Sequence, residues 1–460
     1  MSSALGESVG AAATGGNRSP AEPSATEPLF RTAVGSTLWG KALELSAQIL
    51  LVAAVPRVLG PADYGVFALA LTVVSVSSLS MALGGPTLMS RFIPAVSPGE
   101  REAVARTLLV RLARWRGLFL CAMVICAITL AAAAPSTFPP VIVLLAVAAL
   151  VLDVGATLAF QAMLALQRAT AWSFRFGVQN TITVAAALTG YGIAGVEGAV
   201  AGLAVASGAV FAWGALLVRR PLVTARSGAP LPPGVLRFGA VHAVGNLFEQ
   251  FTYRGAVVAV AILAGSSVET GFAALAVGIA MAGAYVIWQL FTAQLPGLVA
   301  ATRDEPDTSL AERSLRHLGA LSLAGAFALA AVGVCLIPLV APVVFGDQFE
   351  GAVPAMAIAL AMLPLAPLSA LSTQTAALRL RPELRVFATG AGVSAFAVTA
   401  VLAVPHWEAT GGAVALLAGA AVSVSVSRLM FPEVIDRRLL AAALSGSALL
   451  LGLAAVTGAV

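Results

Sequence analysis

Apolar runs of about 20 residues, parted by short polar turns, recur from position 34 to the end of the chain. Each is long enough to cross roughly 30 Å of hydrocarbon. The runs lack the two-residue alternation of a transmembrane barrel strand. Backbone groups in lipid must hydrogen-bond within their own segment, so the runs predict helices. Spans are predicted at 34–55, 64–86, 110–134, 138–162, 174–194, 197–218, 238–263, 271–298, 318–345, 351–375, 386–404 and 411–430. A further run at 439–458 is either a thirteenth span or a helix that lies against the bundle without crossing. Residues 1–32 are rich in Gly, Ala, Ser, Pro and Thr and hold no apolar core. They predict a disordered cytoplasmic tail rather than a cleaved signal peptide.

Composition agrees with lipid as the solvent. Apolar residues make up 59% of the chain and charged residues 10%, against about 25% charged in a soluble domain. The mean hydropathy is +0.96. Charge then orients the chain. With the N-terminus inside, 23 of the 26 basic residues fall on one side, among them Arg116, Arg175 and Arg385. Only Arg57 lies outside, while Lys41 and Arg254 fall within spans. The positive-inside rule therefore predicts a cytoplasmic N-terminus, and a missed span would destroy the asymmetry. A basic face produced this way gives no reason to expect nucleic acid. Some of its arginines are expected to gather anionic lipid headgroups. Cys121, Cys126 and Cys335 sit in apolar runs without metal-ligand spacing and predict core packing.

The chain also repeats itself. RVLGPADYGVFALA at 57–70 and ILAGSSVETGFAAL at 262–275 each turn at a glycine, Gly60 or Gly265. Each then presents an acid, Asp63 or Glu269, and re-enters the membrane at Gly65 or Gly271. EGAVAGLAVA at 197–206 matches GGAVALLAGA at 411–420. The pattern predicts an N-lobe at 33–218, a cytoplasmic linker at 219–237, a C-lobe at 238–436 and an extra helix at 437–460. Six spans per lobe make the lobes parallel repeats, the organisation of transporters that rock two halves around a central cavity. Duplication retained for packing alone is the other reading.

RVLGPADYGVFALALTVVSVSSLSMALGGPTLMSRFIPA resembles the first two helices of polysaccharide flippases of the Wzx type. VFGDQFEGAVPAMAIAL and the stretch RPELRVFATGAGVSAFAVTAVLAVPHWEATGGAVALLAGA are similar to the last three helices of that family. The resemblance covers most of residues 32–430 and implies the fold of the MOP exporter superfamily. It also implies a bacterial inner-membrane protein that flips a polyprenyl-diphosphate-linked oligosaccharide for polysaccharide export. The family has twelve or fourteen spans, so a thirteenth helix departs from its pattern.

Ionisable groups inside spans cost about 2.5–3.5 kcal/mol each on insertion scales, so they mark candidate sites. Lys41, Glu44 and Gln48 share one face of the first helix. His242, Asn246, Gln250 and Arg254 form a polar stripe along the seventh, bordered by Glu249 and Tyr253. At an offset of 205 Lys41 corresponds to Asn246 and Glu44 to Glu249, so both halves are polar at one depth. Arg254 and Lys41 are expected to attract a diphosphate or an acidic sugar, with Asn246, Gln250 and Gln48 lining the same cavity. Glu44 and Glu249 are candidates for coupling a proton or sodium. The competing structural readings are snorkelling of Lys41, neutralisation of Lys41 by Glu44, and helix-to-helix hydrogen bonding for Asp153 and His242. Pro364 and Pro367 predict a bent tenth helix.

No Walker loop, Ser/His/Asp arrangement or Cys/His cluster occurs, and the chain has three histidines. Neither an enzyme nor a cofactor or metal is expected. A multidrug antiporter of the same superfamily is the nearest alternative, and a membrane glycosyltransferase or polymerase a more distant one.

Overall fold

The computed structural model describes residues 27–93, 96, 99–133, 139–165, 169–224, 229–231, 233–301 and 309–460. Every regular element among them is helical. In chain order these are α1 (Glu27–Met81), α2 (Gly85–Phe92), α3 (Arg101–Ala133), α4 (Pro140–Ala165), α5 (Ala169–Thr224) and α6 (Val235–Leu263). There follow α7 (Ser267–Ala301), α8 (Ser309–Phe345), α9 (Val353–Leu360), α10 (Ala366–Leu378), α11 (Pro382–Met430) and α12 (Arg437–Val456). The tail expected at 1–32 lies outside the described residues up to position 26, and α1 begins within it at Glu27.

Three helices are too long for one crossing. α1, α5 and α11 hold 55, 56 and 49 residues, against about 20 for one span. Each is broken once by non-helical backbone: α1 at Gly60, α5 at Ala194 and Gly195, α11 at Glu408. The arms of α5 fold back on each other, since a Cβ on Gly198 would lie 1.9 Å from the Gly190 carbonyl oxygen. Among the described residues nine helices are long and apolar enough to cross a membrane, with Asp347–Leu378 counted as one. α6, which carries Glu249 and Arg254, is not among them. Both arms of the bent helices together with α6 give thirteen helical segments, matching in number the twelve expected spans plus the run at 439–458. The tenth span is interrupted by a 3₁₀ turn at Leu363–Leu365, where Pro364 and Pro367 predict a bend, and another 3₁₀ turn precedes the span at Asp347–Ala352.

The bends and glycine turns lie at one end of the bundle and most described arginines at the other. Gly60 and Gly265, the repeat-related turn glycines, both have positive φ, 73° and 66°. Gly60 pairs that φ with a ψ of 167°, a region that is essentially glycine-only. The spans form two lobes, α1–α5 and α6–α12, in parallel repeat. In the first, α1 and α4 pack against α5; in the second, α6 packs against α11. The lobes meet at both ends. At the bend end a Cβ on Gly65 would lie 1.9 Å from Ser267 O, and one on Gly271 would lie 2.1 Å from Pro61 O. The two re-entry glycines of the repeat are thus each other's neighbours across the lobe boundary. Arg57 Nη1 donates to Val343 O at 2.6 Å beside them. At the arginine-rich end a Cβ on Gly84 would lie 2.9 Å from Gly239 O, and Phe92 meets Phe238 edge-on at 5.7 Å.

The cysteine expectation is corrected. Cys121, Cys126 and Cys335 are exposed, on α3 and α8. Lipid and protein core are equally apolar, so hydropathy alone does not separate a packed face from a lipid-facing one.

Candidate functional site

Three of the largest fully buried side chains are arginines, Arg116, Arg175 and Arg385, each 2% exposed. This corrects their reading as surface charges on the inner face. A buried guanidinium needs partners, and these are found on neighbouring helices. In the N-lobe Asp153 of α4 is the hub. Ser78 Oγ donates to its Oδ2, Gln179 Nε2 donates to its Oδ1 at 2.6 Å, and Arg175 Nη2 lies 3.5 Å from Oδ1. Arg175 also donates to Thr157 Oγ1 at 2.6 Å and lies 4.6 Å from the Phe176 ring centroid. One turn along α4, Gln161 Oε1 accepts from Arg116 Nη2 at 2.5 Å, and Ala82 O accepts from the same nitrogen at 2.8 Å. The helix-to-helix reading of Asp153 therefore fits its geometry.

The C-lobe has a matching cluster. Arg385 stands near the start of α11, as Arg175 does near the start of α5. Its Nη2 pairs with Glu249 Oε2, and its Nη1 donates to Asn246 Oδ1 at 2.5 Å. Ser369 Oγ of α10 donates to the other Glu249 oxygen at 2.8 Å. Glu249 and Asn246, expected in a cavity, are thus brought together as partners of a buried cation. His242 stacks on Phe238 with ring centroids 5.9 Å apart and planes 7° from parallel.

Glu44, the repeat counterpart of Glu249, faces the other lobe. It is buried, and Tyr285 Oη of α7 donates to its Oε1 at 2.5 Å. Gln48, one turn on, accepts from Asn180 Nδ2 at 3.2 Å. The Lys41 side chain lies outside the described residues, so its expected pairing with Glu44 has no description here. Gln250 is half-buried beside the Asn246–Glu249 cluster.

Arg254 differs from the other interior arginines. It sits more than five turns from the start of α6 at Val235. Its Nε is enclosed without a hydrogen-bond partner, as are those of Arg116, Arg175 and Arg385, but unlike them the residue keeps part of its surface open. Among the described residues no ion pair involves it.

Sequence reasoning missed Arg175 and Arg385 because the positive-inside count treats all inner-end arginines alike. Two signals marked them. Both stand at the edge of an apolar run, Arg175 just inside it and Arg385 just before it, and they are 210 residues apart, within the repeat spacing.

This bundle of bent and broken helices in two lobes is similar in fold to solved membrane transporters. The lipid II flippase MurJ in an inward closed conformation matches with a TM-score of 0.58 and 10% identity, covering 92% of each chain. A mutant of the Vibrio cholerae MATE transporter VcmN matches at 0.56 and 14% identity, covering 90% of this chain and 98% of the other. No protein-family model and no curated protein sequence matches the chain. At these identities the likeness speaks for the fold alone: an all-helical, multi-pass bundle.

Proposed function

We propose that the chain is a Wzx-type flippase. It carries a polyprenyl-diphosphate-linked oligosaccharide from the inner to the outer leaflet of a bacterial inner membrane by alternating access. The single observation that carries this reading is Arg254, a cation deep in a spanning helix with no ion pair among the described residues. An unpaired interior guanidinium is costly unless a ligand completes it. A diphosphate suits it, because the planar fork matches phosphate oxygens in pairs. Lys41, Gln48, Asn246 and Gln250 are the proposed companions in the cavity, with the N-terminus cytoplasmic and the lobes divided at the linker 219–237. MurJ, a lipid II flippase by name, shares the fold, which supports a lipid-linked substrate without deciding it.

Coupling to a proton or sodium through Glu44 and Glu249 belongs to the same proposal. Both acids have partners in this arrangement, Arg385 for Glu249 and Tyr285 for Glu44. A small-molecule antiporter is the second reading, supported by the MATE likeness; a cationic substrate would find a basic Arg254 repulsive. The test is export in cells that depend on this gene. Arg254→Ala should stop export and leave lipid-linked oligosaccharide at the inner face, with the protein still inserted. Undiminished export by that variant would end the proposal.

A further inference from the structure

α3 is the least covered of the spanning helices, with 12% of its apolar window buried. Its first part carries Arg101, Arg106, Arg111, Arg114 and Arg116, and no acidic or basic residue follows from Gly117 to Ala133. That charge-free stretch is about 25 Å long at 1.5 Å per residue, close to the thickness of the hydrocarbon layer. Arg111 and Arg114 therefore stand at the level of the lipid phosphates, Trp115 at the boundary and Leu118 among the acyl chains. The four residues fall at i, i+3, i+4 and i+7, one stripe of the helix. Arg111 and Arg114 are exposed, Trp115 is 53% exposed and Leu118 62%.

The stripe is one wall of an open groove of about 600 Å³, lined by Arg111, Arg114, Trp115, Leu118 and Leu236. Leu236 belongs to the first turn of α6, so the groove lies between the two lobes at the arginine-rich end. Among the described residues neither Arg111 nor Arg114 has an ion-pair partner. Along α3 two unneutralised guanidinium groups are followed by an indole and a leucine, the order of a phospholipid's headgroup, glycerol and tails, with Leu236 across the groove. We infer that this groove is a binding site for one anionic glycerophospholipid of the adjoining leaflet. Its phosphate lies between Arg111 and Arg114 with Leu236 facing it from α6, and its acyl chain runs along Trp115 and Leu118.

The occupant touches both lobes, so its affinity depends on how they are set. It binds the arrangement in which α3 and the start of α6 stand as here, and it shifts the lobes toward that arrangement by its difference in affinity. The site is independent of which substrate the transporter carries.

Trp115 supplies the test. In proteoliposomes, bromine on the acyl chains quenches an indole in contact with that lipid. Brominated phosphatidylglycerol should reach half-quenching of Trp115 at a several-fold lower mole fraction than brominated phosphatidylcholine. The R111Q/R114Q variant, which keeps Trp115, should erase that preference. Trp407, 60% exposed at the bend end, serves as the control and should show none. The signal is isolated by changing the other tryptophans to Phe. If that chain does not fold, the difference between the native chain and Trp115→Phe gives it. Equal quenching by the two lipids, a preference that survives the double variant, or the same preference at Trp407 would each overturn the site.

Discussion

The backbone contact at Gly65 makes the lobe boundary open to a direct perturbation. Alanine there would place its Cβ 1.9 Å from Ser267 O and 2.9 Å from Gly271 N. Both neighbours are backbone, so no side-chain rotation can relieve the clash, and the arms of α1 and α7 must part. Overpacking of this kind costs about 1–3 kcal/mol. The cost falls only on the arrangement closed at the bend end, so the ratio of closed to open should fall by about 5–150-fold. Spin labels at Val58 and Val343, one on each lobe and both exposed, report the distance across that end by pulsed dipolar spectroscopy. The exposed Cys121, Cys126 and Cys335 would first be replaced by alanine. Gly65→Ala should enlarge the long-distance population, and Gly271→Ala should do the same. Gly192, with nothing within 4 Å of its added Cβ, should leave the distribution alone. An unchanged distribution in Gly65→Ala, with the protein still folded, would refute the reasoning that this contact closes the bend end.

Two further variants probe the polar interior. Tyr285→Phe removes the bond to Glu44 that joins the lobes. It should weaken the arrangement seen here by about 1.5–3 kcal/mol, read as a shift in the same spin-label distances; no shift would show that the bond does not hold the lobes. Arg385→Met strands Glu249 and should lower stability by about 3–5 kcal/mol, whereas the double change with Glu249→Met should recover most of the loss. Thermal unfolding in detergent measures both, and additive losses would contradict the pairing.

Much of the fold was legible because it is set by local pattern. The apolar runs gave the spans, and the repeat placed the turns at Gly60 and Gly265, where positive φ is found. Pro364 marked the broken tenth helix, and the run at 439–458 is α12. What stayed hidden depends on which helix faces which. Arg175 and Arg385 read as inner-face charges, yet each is enclosed with an acid from another helix. The cysteines read as core and face outward. Neither hydropathy nor periodicity contains the partner helix. The candidate residues were found in part: Asn246 and Glu249 meet in one cluster, and Glu44 reaches across the lobe boundary. The offset that paired Glu44 with Glu249 did not foretell that difference, which arises because Arg385 contacts Glu249 while Arg175 takes Asp153.

The bends and the lobe contact say how the chain could move, but the proposed function turns on what Arg254 holds. The most direct measurement uses the purified protein in liposomes carrying a polyprenyl-diphosphate-linked oligosaccharide on one leaflet, with a sugar-specific probe on the other side. The native chain should deliver the sugar to the probe, and Arg254→Gln should be slower by at least about 10-fold, the equivalent of 1.4 kcal/mol at the bound phosphate. Equal delivery by the native and Arg254→Gln proteins, or none by either above empty liposomes, would contradict the account.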